Sequence, residues 1–214
     1  MTADRVVAPG LPAPPGGRAV VLGGGGVVGT AWMAGLIGGL RHHGIDLSQA
    51  ELTVGTSAGA IVGAMLATGM DLDALAAPRR TPELGTTAEG VDPNRLAEVL
   101  AVLSDPGVDP EAARRRVGRI ALVSPTDSAH AHIQSMGSLI TAHTWPERPL
   151  LITTVDLETG TPQVWDRHSG VSLVDAVAAS TAMPGCLSTD HSQRSTLHGR
   201  RPAVGNQCRP CCRG

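Results

Sequence analysis

Apolar runs that end in glycine alternate along the first third of the chain with segments whose apolar residues recur at helical spacing. "RAVVLGGGG" (18–26) and "ELTV" (51–54) are apolar, β-branched runs typical of buried parallel strands. Helical spacing follows each of them, over 30–44 and over 57–69. The order strand, helix, strand, helix predicts a βαβ unit in this part of the chain.

The same alternation continues to residue 185, after helical patterns broken by proline and glycine between 71 and 120. Ser172 stands at a good N-cap position before the last apolar pattern. The elements predicted here are helices over 94–103, 110–122 and 172–185, and paired strands over 148–160 and 161–167. We therefore expect an α/β fold in which helices are layered on a mainly parallel sheet.

Composition and charge narrow the class of protein. The chain has 214 residues, of which 42 % are hydrophobic, enough for one folded domain. A net charge of −2 gives no reason to expect a nucleic-acid partner. There is no apolar run of about 18 residues for a transmembrane helix and no signal-peptide pattern in residues 1–17. We expect those residues to form a flexible Pro/Gly-rich leader and the protein to be cytoplasmic.

A serine lies between two glycines where the second predicted strand meets its helix. In "GTSAG", Ser57 is flanked by Gly55 and Gly59, which gives the pattern Gly-x-Ser-x-Gly. Such a serine on a sharp strand-to-helix turn is a nucleophile elbow, and the glycines are required because side chains would clash there. The pattern predicts that Ser57 is a catalytic nucleophile; the alternative is close packing of small residues against the sheet.

"GGGGVVG" (23–29) has two interpretations. Gly24, Gly26 and Gly29 form Gly-x-Gly-x-x-Gly, a dinucleotide-binding pattern, but the next strand lacks the acidic residue that this pattern requires at its end. In the other interpretation the amides of Gly24, Gly25 and Gly26 form an oxyanion hole for Ser57. The second interpretation explains both motifs together.

With "GGGGVVG", "GTSAGA" (55–60) and "DAVAASTAMPG" (175–185), the sequence resembles the patatin-like phospholipases over residues 18–185. The resemblance implies a three-layer α/β/α sandwich and hydrolysis of lipid acyl esters. It implies Ser57 as the nucleophile, Gly24 to Gly26 as the oxyanion loop, and a Ser–Asp dyad without histidine. It implies no metal or organic cofactor, a lipid or other acyl ester as substrate, and transient contact with a membrane surface as an alternative to a wholly cytoplasmic location.

The base of that dyad is missing. The family's aspartate stands in an Asp-Gly pair after the Ser-x-Ala-x-Pro block, and this sequence contains no Asp-Gly. The only acid after Gly185 is Asp190, whose context does not match. We therefore predict a chain that folds incompletely and hydrolyses esters poorly, because a serine hydroxyl needs a neighbouring base.

The composition changes abruptly after Gly185. All four cysteines lie in residues 186–214: Cys186, Cys208, Cys211 and Cys212. With suitable synonymous codons, the tail read one nucleotide later gives "VFPPITVNGQRYMDGVRPSATNADLAAG", a hydrophobic strand, a hairpin and an Asp-Gly pair. We interpret 186–214 as an out-of-frame, disordered tail that replaces the end of the catalytic core.

The sequence leaves four other functional interpretations. The chain is a non-catalytic remnant that binds acyl chains, or, less in keeping with the motifs, a dinucleotide-binding module. A metal or redox site at "CRPCC" (208–212) would need His191 and His198 as further ligands. An Asp190–His191 pair completing a triad with Ser57 is disfavoured, because adjacent residues seldom have the geometry of a relay.

The remaining polar and aromatic residues are given structural roles. Arg114, Arg115, Arg116 and Arg119 form the solvated face of a helix, with attraction to anionic lipid headgroups as the alternative. The scattered histidines are predicted to lie on the surface: His130, His132, His143 and His168. The tryptophans are predicted to fill core or interface volume: Trp32, Trp145 and Trp165.

Overall fold

A four-stranded sheet organises the fold. The computed structural model describes residues 17–76, 93–122 and 127–182. The strands, in sheet order, are β1 (Ala19–Leu22), β2 (Leu52–Gly55), β3 (Leu150–Val155) and β4 (Pro162–Trp165). β1, β2 and β3 are parallel, and β4 is antiparallel to β3. The carboxyl ends of β1, β2 and β3 therefore lie at one edge of the sheet.

Helices connect and cover these strands. Their bounds are α1 (Gly26–His42), α2 (Ala58–Thr68), α3 (Asp73–Ala76), α4 (Pro93–Ser104), α5 (Pro110–Leu122), α6 (Asp127–Leu139) and α7 (Leu173–Thr181), with a 3₁₀ turn at Leu47–Gln49. α2 packs against β1, β2 and β3, and α7 packs against β3 and α2. Both helices therefore contribute to the main core, where Ile152 of β3 and Leu173 of α7 are fully buried.

The two helices that follow β1 and β2 differ in how much of their surface is buried. α1 buries Thr30, Met33, Ala34 and Ile37, which recur at the spacing of one helix face. α2 buries every residue from Ala58 to Leu66, and its small side chains permit that close approach. α2 is therefore held against the sheet along most of its length, directly behind the end of β2.

The predicted α/β class with a mainly parallel sheet is confirmed. Each predicted strand and helix has a counterpart, including the β3–β4 hairpin and the Ser172 N-cap, whose hydroxyl accepts a hydrogen bond from the Asp175 amide at 3.1 Å. Most of the predicted leader 1–17 and the whole tail 186–214 lie outside the described residues. Asp190, His191, His198 and the four cysteines are among these.

The arginine face of α5 is largely as predicted. Arg115, Arg116 and Arg119 are exposed, and Arg115 pairs with Glu111 at 2.9 Å. Arg114 differs, because its side chain is partly buried and Nε donates to the Gly160 carbonyl at 2.6 Å. That bond joins α5 to the turn between β3 and β4.

The tryptophans do not all fill the core. Trp145 and Trp165 pack against the main core, and their ring nitrogens donate to the Val171 carbonyl and to the Thr154 hydroxyl. Trp32 is 64 % exposed, so the core part of the predicted core or interface role is wrong for this residue, and the interface part stays a prediction. The reason is helical geometry, since Trp32 lies off the face through which α1 packs.

His132 is buried, whereas the sequence predicted a surface residue; His143 and His168 are exposed as expected. Its Nε2 lies 2.8 Å from the Thr181 hydroxyl and 3.2 Å from the Ala178 carbonyl. Because that carbonyl can only accept, Nε2 carries the proton. Nδ1 is buried, and no group among the described residues forms a hydrogen bond with it. The cause of the wrong prediction is a stripe on α6 and just beyond it, where His132, Met136 and Ile140 recur every four residues.

This burial makes stability depend on pH. Desolvation lowers the pKa of the His132 imidazole, so the unfolded chain binds a proton more readily than the folded chain does. The free energy of unfolding should therefore fall as pH drops below about 6.5, and the fall should end below the lowered folded-state pKa. Midpoints of urea denaturation, determined between roughly pH 8 and roughly pH 5, measure this loss of stability. H132Q should remove this component and H143Q should retain it; equal pH dependence in both variants would contradict the assignment.

Candidate active site at a strand–helix corner

Ser57 occupies a strained backbone conformation between β2 and α2. Its φ is 53° and its ψ is −117°, and among the described residues no other non-glycine residue has a positive φ. Such a conformation costs about 1–3 kcal/mol and persists only where the surroundings enforce it. The chain therefore makes a forced, sharp turn at Ser57, and the partly buried serine lies at the carboxyl edge of the sheet.

The two flanking glycines are required by close backbone contacts. A Cβ added to Gly59 would overlap the Leu22 carbonyl and lie 2.8 Å from Leu22 Cβ. A Cβ added to Gly55 would lie 2.5 Å from the Gly59 carbonyl oxygen and 2.7 Å from Ala60 Cα. The spacing Gly-x-Ser-x-Gly thus has a steric cause, since both positions are pressed against main chain.

The glycine loop after β1 lies beside this corner. The Gly59 amide donates to the Gly23 carbonyl at 3.0 Å, and the Thr56 amide donates to the Leu22 carbonyl at 3.0 Å. A Cβ placed on Gly24 would lie 3.7 Å from Ser57 Cβ, in ordinary van der Waals contact. The structure therefore brings together the two glycine motifs that the sequence analysis paired.

Within the part of the chain that the structure describes, the loop amides have no backbone partner. No carbonyl in the described ranges accepts a hydrogen bond from the amides of Gly24, Gly25 or Gly26, and the same holds for Ala58, the first residue of α2. All three glycines are exposed. These N–H groups stand at the N-termini of α1 and α2, where the helix dipoles favour negative charge.

Ser180 holds the corner from α7, the helix that packs against both α2 and β3. The Ser57 amide donates to Ser180 Oγ at 2.9 Å, and Ser180 Oγ donates to the Thr153 carbonyl at 2.8 Å. The hydroxyls of Thr56 and Thr153 are also hydrogen-bonded, at 2.6 Å. No role for Ser180 was predicted from the sequence; its place in the Ser-x-Ala-x-Pro block was the one available signal.

No base is found at the corner within the described part of the chain. Neither a carboxylate nor an imidazole there is hydrogen-bonded to the Ser57 hydroxyl. Asp190 and His191, the alternative partners considered from the sequence, lie outside the described residues. Among the helices of 17–76, 93–122 and 127–182, none is both long enough and apolar enough to cross a membrane.

Comparisons with known proteins bear on the family of the chain. A family model described as patatin-like phospholipase matches residues 20–200, a range that contains the glycine loop, Ser57 and Ser180. The crystal structure of the type III effector protein ExoU is 24 % identical in sequence, with a TM-score of 0.42. That match covers 81 % of this chain and 41 % of ExoU, so the chain corresponds to less than half of that protein. No curated protein gives a significant match. Because the family match spans most of the sequence, the chain belongs to the patatin-like phospholipase family.

Proposed function

We propose that the chain carries the nucleophile and the oxyanion donors of a lipid-ester hydrolase site, with Ser57 as the nucleophile. The observation that carries the proposal is the enforced positive φ of Ser57 at the meeting point of β2, α2 and the glycine loop. Strain of this kind is retained at sites where a side chain must be aimed. The family match supports a lipid ester as substrate, since patatin-like phospholipases are lipid acyl hydrolases.

In this proposal the oxyanion is held by amides that have no backbone partner among the described residues. As Ser57 Oγ bonds to the ester carbonyl carbon, the carbonyl π electrons move onto oxygen, and a negative charge develops there. The amides of Gly24, Gly25 and Gly26 are the proposed donors, and the Ala58 amide is a further one. The Ser57 amide itself is excluded, because its hydrogen is already donated to Ser180 Oγ.

Collapse of the tetrahedral intermediate breaks the bond to the leaving alcohol, which takes up a proton, and leaves an acyl group on Ser57. Water then attacks this ester and releases the acid. The attack by Ser57 and the attack by water each need a group that removes a proton from the attacking oxygen. The sequence offers no Asp-Gly aspartate for this role. We therefore propose impaired hydrolysis, and a non-catalytic protein that retains acyl binding is the second candidate.

The proposed substrate also bears on location. Lipid esters are presented at membrane surfaces, so the proposal includes peripheral contact with a membrane. The exposed guanidinium groups of Arg115, Arg116 and Arg119 on α5 are cations of the kind that anionic headgroups attract.

Covalent capture by a fluorophosphonate tests the nucleophile. We expect the probe to label Ser57, located by peptide mass spectrometry, at a rate about 10²–10⁴-fold below that of a complete serine hydrolase, because base assistance is lacking. Ser57→Ala should abolish labelling. The matched control Ser138→Ala removes an exposed hydroxyl on α6 and should label like the unaltered chain. Labelling that survives in S57A, or that falls equally in S138A, would refute the assignment.

A further inference from the structure

A fixed chain of hydrogen bonds runs from the Ser57 amide to β3. The Thr153 carbonyl has no proton to give, so the Ser180 hydroxyl must donate to it, at 2.8 Å. The lone pairs of Ser180 Oγ are then directed to the Ser57 amide, which donates at 2.9 Å. Both bonds are partly buried, so water competes weakly for them. The direction of each bond follows from the chemistry of its ends.

The same strand residue also holds the position before Ser57. β2 and β3 are in parallel register up to Gly55 beside Ile152, and the next pair along is Thr56 and Thr153. Their hydroxyls are 2.6 Å apart. Thr153 thus contacts residue 56 through its side chain and residue 57 through Ser180, at the point where the backbone takes its unusual conformation.

We infer that Ser180 is a positioning residue for the Ser57 nucleophile: its hydroxyl holds the Ser57 amide toward α7, and so keeps the serine side chain directed to the glycine loop. Ser180 Oγ takes no part in the chemistry, since its proton is committed to the Thr153 carbonyl. This inference rests on the proposed function, and it gives the serine of the Ser-x-Ala-x-Pro block a physical role.

Hydrogen exchange tests the bond independently of any activity. In the chain selectively labelled with ¹⁵N-serine, we expect the Ser57 amide to be protected although it precedes the first turn of α2. Ser180→Ala should speed its exchange by about tenfold or more, with little change at the other described serine amides. Ser180→Thr keeps a hydroxyl and should restore most of the protection.

Probe labelling tests the consequence for the nucleophile. Ser180→Ala should lower the rate of fluorophosphonate labelling per folded molecule about 10- to 100-fold, as expected for a misplaced reacting group. The matched control is Thr181→Ala, on the same helix. Thr181 has a similarly buried hydroxyl that bonds to His132 and not to the corner. T181A should lower the urea midpoint and leave labelling and Ser57 exchange within about twofold.

The outcomes separate the two proposals. The hydrogen bond between the Ser57 amide and Ser180 is refuted if the Ser57 amide exchanges without protection in the unaltered chain. It is also refuted if the exchange rate of that amide is unchanged in folded S180A. Faster exchange with unchanged labelling overturns the positioning role. Absence of labelling in the unaltered chain overturns the proposed function, while exchange still decides whether the bond exists. If S180A does not fold, S180C replaces it, because cysteine is nearly isosteric with serine and its sulfur is a weaker acceptor. S180C must then show faster Ser57 exchange and slower labelling, each to a smaller degree. If it shows neither, the inference is overturned.

Discussion

Gly59→Ala should abolish stable folding, or lower the free energy of unfolding by about 3 kcal/mol or more, a loss reserved for severe backbone or core disruption. The added Cβ would overlap the Leu22 carbonyl, and neither α2 nor β1 can move away without losing contacts. The Gly59 amide would also lose its bond to the Gly23 carbonyl, so the glycine loop would separate from the corner. Urea denaturation followed by circular dichroism measures the effect.

Gly39→Ala is the matched control for this substitution. Gly39 lies in α1, it is exposed, and a Cβ there meets nothing within 4 Å. Alanine should stabilise the helix by about 0.5–1 kcal/mol, because glycine is the poorer helix former. Equal destabilisation by G39A and G59A would show that the corner is not the tightly packed junction described here.

Replacing residues 186–214 with the alternative-frame sequence "VFPPITVNGQRYMDGVRPSATNADLAAG" should raise ester hydrolysis by about 10²–10⁴-fold. That tail supplies the Asp-Gly pair which the chain lacks, and therefore a base for the Ser57 hydroxyl. Release of p-nitrophenol from a short-chain ester, compared between the two chains at equal folded concentration, measures the gain.

Two controls decide whether the gain comes from the base. The same tail with asparagine in place of the Asp-Gly aspartate should fold like the aspartate tail but should not raise hydrolysis. Ser57→Ala in the chain with the restored tail should remove the gain. A fully active asparagine tail would show that the missing aspartate is not the cause of the proposed impairment.

Local patterns were sufficient to predict most elements and the corner itself. The runs that became β1 and β2, and the small-residue pattern of α2, are strong local signals, and the steric need for Gly55 and Gly59 follows from the turn alone. α6 was not predicted, because its buried stripe includes His132 in place of an apolar residue. The position of Trp32 outside the core was not predicted, because composition does not specify which helix face is buried. The bond between Ser57 and Ser180 is a tertiary contact that no local pattern encodes.

That tertiary contact has a consequence for biosynthesis. Ser57 and Ser180 are separated by 123 positions along the chain, so the amide of the first finds its partner only after almost all of the described polypeptide has been synthesised. Contacts of such long range carry a large entropic cost of loop closure and form late. In a nascent chain still on the ribosome, the Ser57 amide would not yet be hydrogen-bonded to Ser180. The Ser57 amide would therefore be held in place only once α7 has docked against β3 and α2.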